Sequence, residues 1–251
     1  MMSRIRKDRA VILKTFPYSE TSVIVMFLAR EHGKIRCMAR GARRSRSKFS
    51  GTLLTGSICD IVFSYRVSRG LQTLTDIETV YSLDTGRETL ERVCIFQAAM
   101  EVLNYSLFEG EPDAGPFDLI ENFILSLKES ADPFTLFFAF EIRLLRLTGY
   151  FPHIYECGCC RADTVEKGFS VDISSGEIRC QDCSRRGMTA VSGEAAEKIY
   201  DIDVENLSEM LNIELNKKLR GEIGRMLHGI FRLHVEGYRA PASLGLLKGV
   251  I

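Results

Sequence analysis

The sequence predicts an α+β chain of several domains, β-rich at its amino end and helical behind, with a cysteine-bound module set into the helical part. Three observations predict this. Short β-branched runs fill the first 83 residues. Near residue 85 the apolar spacing changes from the alternation of a strand to the i, i+3, i+4 recurrence of a helix. Four cysteines then fall in two tight pairs, Cys157-Gly158-Cys159-Cys160 and Cys180-Gln181-Asp182-Cys183.

The elements follow in order. Residues 9–16, 21–29 and 34–40 read as strands, punctuated by Pro17-Tyr18-Ser19 and Glu31-His32-Gly33. Residues 57–65 and 71–81 add two more around Ser68-Arg69-Gly70. Five short strands without a long helix suit a small closed barrel, and the five-stranded OB-fold is the economical choice. Gly51 to Gly56 resembles half a phosphate loop but lacks the lysine, so a glycine-bounded strand is the better reading. Thr85-Gly-Arg-Glu88 has the form of a capping box and predicts a helix start. Leu90, Val93, Cys94, Phe96, Gln97, Met100, Leu103 and Leu107 continue it at helical spacing. Pro116 and Pro133 suit the first turns of helices reaching about 127 and 148. Beyond the cysteines, helices are predicted over 193–200, 204–211 and 215–239. The last carries Leu219, Ile223, Met226, Leu227, Ile230, Phe231 and His234 in one stripe. The predicted domains are 1–83 (the barrel), 84–150 (helical, first part), 151–187 (the cysteine module) and 188–251 (helical, second part).

The cysteine pairs stand nineteen residues apart. Two C-x2-C turns each aim two thiolates at one point, which is the tetrahedral four-sulfur site of a structural zinc. Residues 169–178 alternate and turn at Ser175-Gly176, so a hairpin joins the pairs in a zinc-ribbon-like arrangement. One Zn2+ per chain is expected on Cys157, Cys160, Cys180 and Cys183. Cys159 could replace either partner in the first pair; Cys157 and Cys160 are preferred because two intervening residues form the usual knuckle. Four sulfurs leave no open position for activated water. A zinc deaminase would pair H-x-E with P-C-x-x-C. Here two residues, not one, separate His153 from Glu156, and no proline precedes either pair. The four histidines show no acid–nucleophile arrangement and read as structural or surface groups, so no enzyme is expected. Cys37, Cys59 and Cys94 lie in apolar pattern and read as core.

The formal charge is zero, yet residues 1–80 carry 15 Lys/Arg against 6 Asp/Glu and residues 81–150 carry 5 against 12. A basic front end points to a polyanionic partner. Its densest part holds Arg36, Arg40, Arg43, Arg44, Arg46 and Lys48, six cations in thirteen residues, with Phe49 beside them. Cations over phosphates and an aromatic under a base make a single-strand binding surface. A merely solvated face is the alternative. Phe16, Tyr18 and Tyr65 are further stacking candidates or core residues. The helical part is acidic at first and suits protein partners, with Arg143, Arg146, Arg225 and Arg232 as candidates for an acidic tail. Whether Arg179, Arg185 and Arg186 bring the cysteine module to DNA stays open. With no apolar run near membrane-spanning length and no signal core, a cytoplasmic protein is expected.

Three stretches carry a family likeness. Val11-Ile-Leu-Lys14-Thr-Phe-Pro-Tyr18-Ser-Glu20, Glu31-His-Gly33-Lys34 and Ala39-Arg40-Gly41-Ala42-Arg43-Arg44 resemble the opening of the RecO family of bacterial recombination mediators. Glu141-Ile-Arg-Leu-Leu145-Arg-Leu-Thr-Gly149-Tyr150-Phe-Pro152 with the cysteine pairs is similar to its helix-to-zinc junction, and the stretch from His234 to Leu247 to its carboxyl end. Cys159, and Arg161 where a glycine is common, depart from the pattern. The resemblance implies an amino-terminal OB-fold, a helical domain and a zinc-binding insertion. It implies binding of single- and double-stranded DNA, annealing of complementary strands, and a cytoplasmic protein at the nucleoid when acting. Implied partners are RecR, often RecF, and the acidic tail of single-strand-binding protein, which together help load RecA at gaps. A zinc-containing structural adaptor and an RNA-binding OB-fold protein are the alternatives.

Overall fold

The computed structural model describes residues 4–66, 68–84, 86, 88–204 and 215–247. They divide into two compact units, Met1–Glu88 with Leu107–Ile124, and Thr89–Ser106 with Leu125–Ile251. Among the described residues no helix is long and apolar enough to cross a membrane.

The first unit is built on β1 (Arg4–Pro17), β2 (Val23–Ala29), β3 (Gly33–Ala39), β4 (Ile58–Tyr65) and β5 (Leu71–Tyr81). The sheet closes in the order β1-β2-β3-β5-β4. β1 serves both neighbours: residues from Ala10 onward pair antiparallel with β2, and Arg4–Val11 with β4. A register shift between Ile12 and Lys14 bends the strand between the two tasks. β3 and β5 run parallel in a short ladder, Arg36 to Leu71 through Met38 to Thr73.

Strict alternation selects the barrel core. Ala10 and Ile12, Val25, Phe27 and Ala29, Ile35, Cys37 and Ala39, and Cys59, Ile61 and Phe63 all point inward. Phe49 joins them from the loop between β3 and β4 and is only 4% exposed. The expected stacking role for Phe49 is thereby corrected. Its ring anchors the basic loop, and burying it is worth about 1.5–3 kcal/mol. The segment from Gly51 to Gly56 is a pair of turns with both glycines left-handed, φ 77° and 80°, and not the strand expected there.

Gly33 occupies the β2–β3 turn at φ 64°. A Cβ there would lie 2.0 Å from the Glu111 carbonyl oxygen, in the same unit. Gly33→Ala is expected to destabilise by about 2–4 kcal/mol, from left-handed strain plus the backbone collision. Gly70→Ala, with no atom within 4 Å of its Cβ position, is the control and should stay within about 0.5 kcal/mol. Urea midpoints measure both. α2 (Ala114–Leu127) begins in this unit, where Asp118 receives Arg30 at 2.8 Å.

The second unit centres on α3 (Pro133–Leu147), with α1 (Leu90–Ser106), α4 (Gly193–Val204) and α5 (Lys217–His234) packed on it. Pro133 starts α3 as expected, and Asp132 caps it. The Asp132 carboxylate accepts from the Phe134 N–H at 2.9 Å, Thr135 Oγ1 at 2.8 Å, the Leu215 N–H at 3.0 Å and Arg220 at 3.1 Å. Four donors on one buried carboxylate fix the start of α3 to α5. α1 starts at Leu90, later than the Thr85 box suggests. Thr89 supplies the cap, its Oγ1 accepting from the Arg92 N–H at 3.3 Å, while Thr85 lies outside the described residues. The helix expected over 204–211 also falls outside them, except Val204, which ends α4. On α5 every apolar member of the expected stripe is buried, and His234 is half-buried.

The cysteine module carries β6 (Phe169–Asp172), β7 (Glu177–Cys180) and β8 (Thr189–Val191), ordered β7-β6-β8. The β6–β7 hairpin turns at Gly176, φ 70°, as the sequence predicts. β8, which no sequence pattern signals, pairs on the far side of β6.

Candidate metal centre and nucleic-acid interface

Two backbone devices bring the four cysteines together. In the first knuckle the Arg161 N–H donates to the Cys157 carbonyl at 3.0 Å, and the Cys157 N–H to the Ala162 carbonyl at 2.9 Å. Arg161 adopts φ 63° to close this turn, the left-handed position that glycine takes without strain, and is the one non-glycine with positive φ among the described residues. The Gly158 N–H donates to the Ile178 carbonyl at 2.9 Å, which docks the knuckle on β7. The second pair begins where β7 ends. Cys180 pairs with Phe169 across the hairpin, and the single 3-10 turn Gln181–Cys183 swings Cys183 back.

The sulfurs of Cys157, Cys160, Cys180 and Cys183 therefore lie within 4.8 Å of one another, with Cys160 and Cys180 3.6 Å apart. A tetrahedral ion with sulfur at about 2.3 Å needs edges of about 3.8 Å, so this donor set fits a tetrahedral metal ion. Cys159 is exposed and stands outside the converging set. Backbone N–H groups, that of Cys160 first, hold the Cys157 thiol down at about 6 and favour the thiolate a metal takes. Cys37, Cys59 and Cys94 are buried in apolar surroundings, as expected, and burial pushes the Cys37 thiol up to about 12. Of the neighbouring arginines, Arg185 and Arg186 are exposed and Arg179 is buried.

The expected cations divide into two groups. Arg40, Arg43, Arg44, Arg46 and Lys48 are exposed along the loop that leaves β3, above the Phe49 anchor. Among the described residues Arg40, Arg44 and Arg46 form no ion pair. Arg43 donates to the Ser19 carbonyl at 2.9 Å, and its own N–H to the Thr21 carbonyl at 3.0 Å. These bonds lash the basic loop to the β1–β2 turn, where the exposed Tyr18 follows the exposed ring of Phe16 at the end of β1. Lys14 lies over the Phe16 ring at 5.1 Å. Arg36, by contrast, is committed to Glu109 at 2.9 Å, and the Lys48 ammonium bonds the Thr75 carbonyl with Asp76 3.9 Å away. Tyr65 packs edge-on to Phe63 and His32, more wall than platform.

In the second unit, Arg146 binds Asp203 and the Tyr155 hydroxyl and covers the Phe151 ring at 4.7 Å, while Arg143 is half-buried. Arg225 and Arg232 are exposed on α5. Sequence reasoning did not find a buried polar cluster in this unit. Glu141 on α3 is fully buried with neither oxygen hydrogen-bonded among the described residues. His228 lies 4.0 Å from it and hydrogen-bonds the Tyr238 hydroxyl. Glu141 does interrupt an apolar run in the sequence, which was the available signal.

Comparison with known proteins agrees across the chain. Residues 2–83 match the family described as Recombination protein O N terminal, and residues 87–243 that described as Recombination protein O C terminal. The DNA repair protein RecO of Syntrophus aciditrophicus is 30% identical over 178 residues, 70% of this chain and 69% of that protein. That of Exiguobacterium sibiricum is 27% identical over 236 residues, covering 93% and 92%. That of Clostridium acetobutylicum is 26% identical over 243 residues, covering 96% of each. With both family halves matched in order and relatives aligned nearly end to end, the chain belongs to the RecO family of DNA repair and recombination proteins.

Proposed function

We propose that this chain is a non-enzymatic DNA-binding recombination mediator whose amino-terminal barrel, residues 1–83, is an OB-fold that holds the nucleic-acid backbone. The observation that carries the reading is the row Arg40, Arg43, Arg44 and Arg46, exposed on a loop anchored through Phe49 and braced against the turn that bears Tyr18 and follows Phe16 at the end of β1. Annealing two strands requires no reacting side chain. It requires two polyanions held close, their repulsion offset and their bases free to pair. Arg36 and Lys48 border this surface and contribute less, since each already has an acid nearby.

In this reading the four thiols hold one structural Zn2+, which staples residues 151–187 and supplies no chemistry to a substrate. The helical parts, 84–150 and 188–251, meet proteins. RecR and the acidic tail of single-strand-binding protein are the partners, joined in many family members by RecF, and the outcome is loading of RecA at gaps in the cytoplasm. Arg225 and Arg232 suit an acidic tail better than Arg146, whose fork is already engaged.

Salt-dependent binding to a short single strand tests the interface. About five phosphate contacts give a slope of log K against log salt of roughly −3.5 to −4.5. Replacing Arg43, Arg44 and Arg46 together by alanine should flatten it by about 2–3. An unchanged slope would remove this loop from the interface. No binding at physiological salt would favour a structural adaptor, and preference for RNA in direct competition would favour an RNA-binding role.

A further inference from the structure

We propose that Arg179 is a positioning residue of the metal site: its guanidinium offsets the charge of the four thiolates and ties the second cysteine pair to β7. The inference rests on the zinc reading above.

Arg179 precedes Cys180 on β7, yet its side chain is only 9% exposed. A guanidinium taken out of water is unfavourable unless opposite charge and hydrogen bonds compensate. Two of its nitrogens are engaged. One donates to Glu177 at 2.7 Å, and another reaches the Cys183 carbonyl at 3.5 Å. That second contact joins the strand before one ligand to the backbone of another. The Nε–H is buried and has no acceptor among the described residues. Glu177 is itself partly exposed, so it offsets the desolvation incompletely. Four thiolates around a divalent ion carry two net negative charges, and a desolvated cation beside them is favourable where the same cation alone is not.

The test uses the full chain, with Co2+ followed through its thiolate charge-transfer absorbance and Zn2+ followed by release to a chelator. Arg179→Met should weaken both ions by about 10–100-fold, the usual cost of losing an outer partner. Arg179→Lys, which restores charge, should recover most of that loss. Arg179→Gln, which restores a donor without charge, should not. The proposal is overturned if Met binds within twofold of wild type, or if Gln matches Lys. Should the wild-type chain show no thiolate band with Co2+, the zinc reading itself falls and this inference with it. Wild-type binding with unaltered variants removes Arg179 alone.

Discussion

On the zinc reading proposed above, Cys180→Ser is expected to abolish metal binding and unfold the three-stranded module while the barrel stays intact. Cys180 is buried at the end of β7, where its sulfur is one of four that converge and its backbone pairs with Phe169. The module's own apolar interior is small: Ile154, Phe169, Val171, Ile178 and Val191. A segment of this length cannot balance its conformational entropy with so few side chains. Structural zinc contributes about 10–16 kcal/mol in small metal-folded peptides, enough to make this stretch fold only when loaded. The loss should spread along β8, because Ser192 just after it bonds Glu222 of α5 at 2.6 Å and 3.0 Å. Metal analysis should fall from about one zinc per chain to none. Hydrogen exchange across 151–191 should rise to near the unfolded rate, with β1–β5 unchanged. Retained protection in the variant would show that the hairpin folds without metal.

The second large effect concerns pH. Burial pushes the Glu141 carboxyl well above the usual range and favours its neutral form in the folded protein. In the unfolded chain it ionises near 4.3. A folded pKa above the unfolded one means stability is complete below about pH 4.3 and is lost as pH rises toward the folded value. Glu141→Gln removes that loss. The variant should therefore gain on wild type by up to about 1.4 kcal/mol per pH unit above pH 4.3, read from urea unfolding at several pH values. His228 acts in the opposite sense. Burial first, then Arg232, lowers it to about 4. Its stabilising share is complete above about pH 6.5 and lost as pH falls through the range down to about 4. The two slopes oppose each other in mildly acid solution. A pH-independent difference between Glu141→Gln and wild type would mean that the carboxyl titrates alike in the folded and unfolded states, and a difference of opposite slope that it is ionised and paired when folded.

Much of the fold is legible in the chain because its signals are periodic. The inward sets on β2 and β3 repeat every second residue, and α5 repeats at helical spacing, so those elements declare themselves. The cysteine knuckles are legible because tetrahedral sulfur coordination demands that spacing. What stayed hidden lacks a period. Phe49 sits alone in a polar loop, and only closure of the barrel decides that its ring turns inward. β8 is three residues long and owes its place to pairing with β6. Thr85 has the spacing of a capping box, whereas Thr89, the observed cap, has Arg92 and no acid three residues on, so the pattern pointed to the earlier threonine. The cation row was visible as composition. Which of its members meet acids was not, since Glu109 lies seventy-three residues from Arg36.

The parallel ladder between β3 and β5 also dictates when the amino-terminal unit can form. Its three pairs, starting at Arg36 with Leu71, use the last of the five barrel strands to leave the ribosome. The antiparallel ladder of β1 with β4 joins residues as distant as Arg4 and Tyr65. Contacts so remote in sequence are slow to form because loop closure precedes any reward. A nascent chain halted before Leu71 would hold β3 and β4 with one flank each unpaired, so productive folding waits for the whole stretch through Tyr81 to emerge.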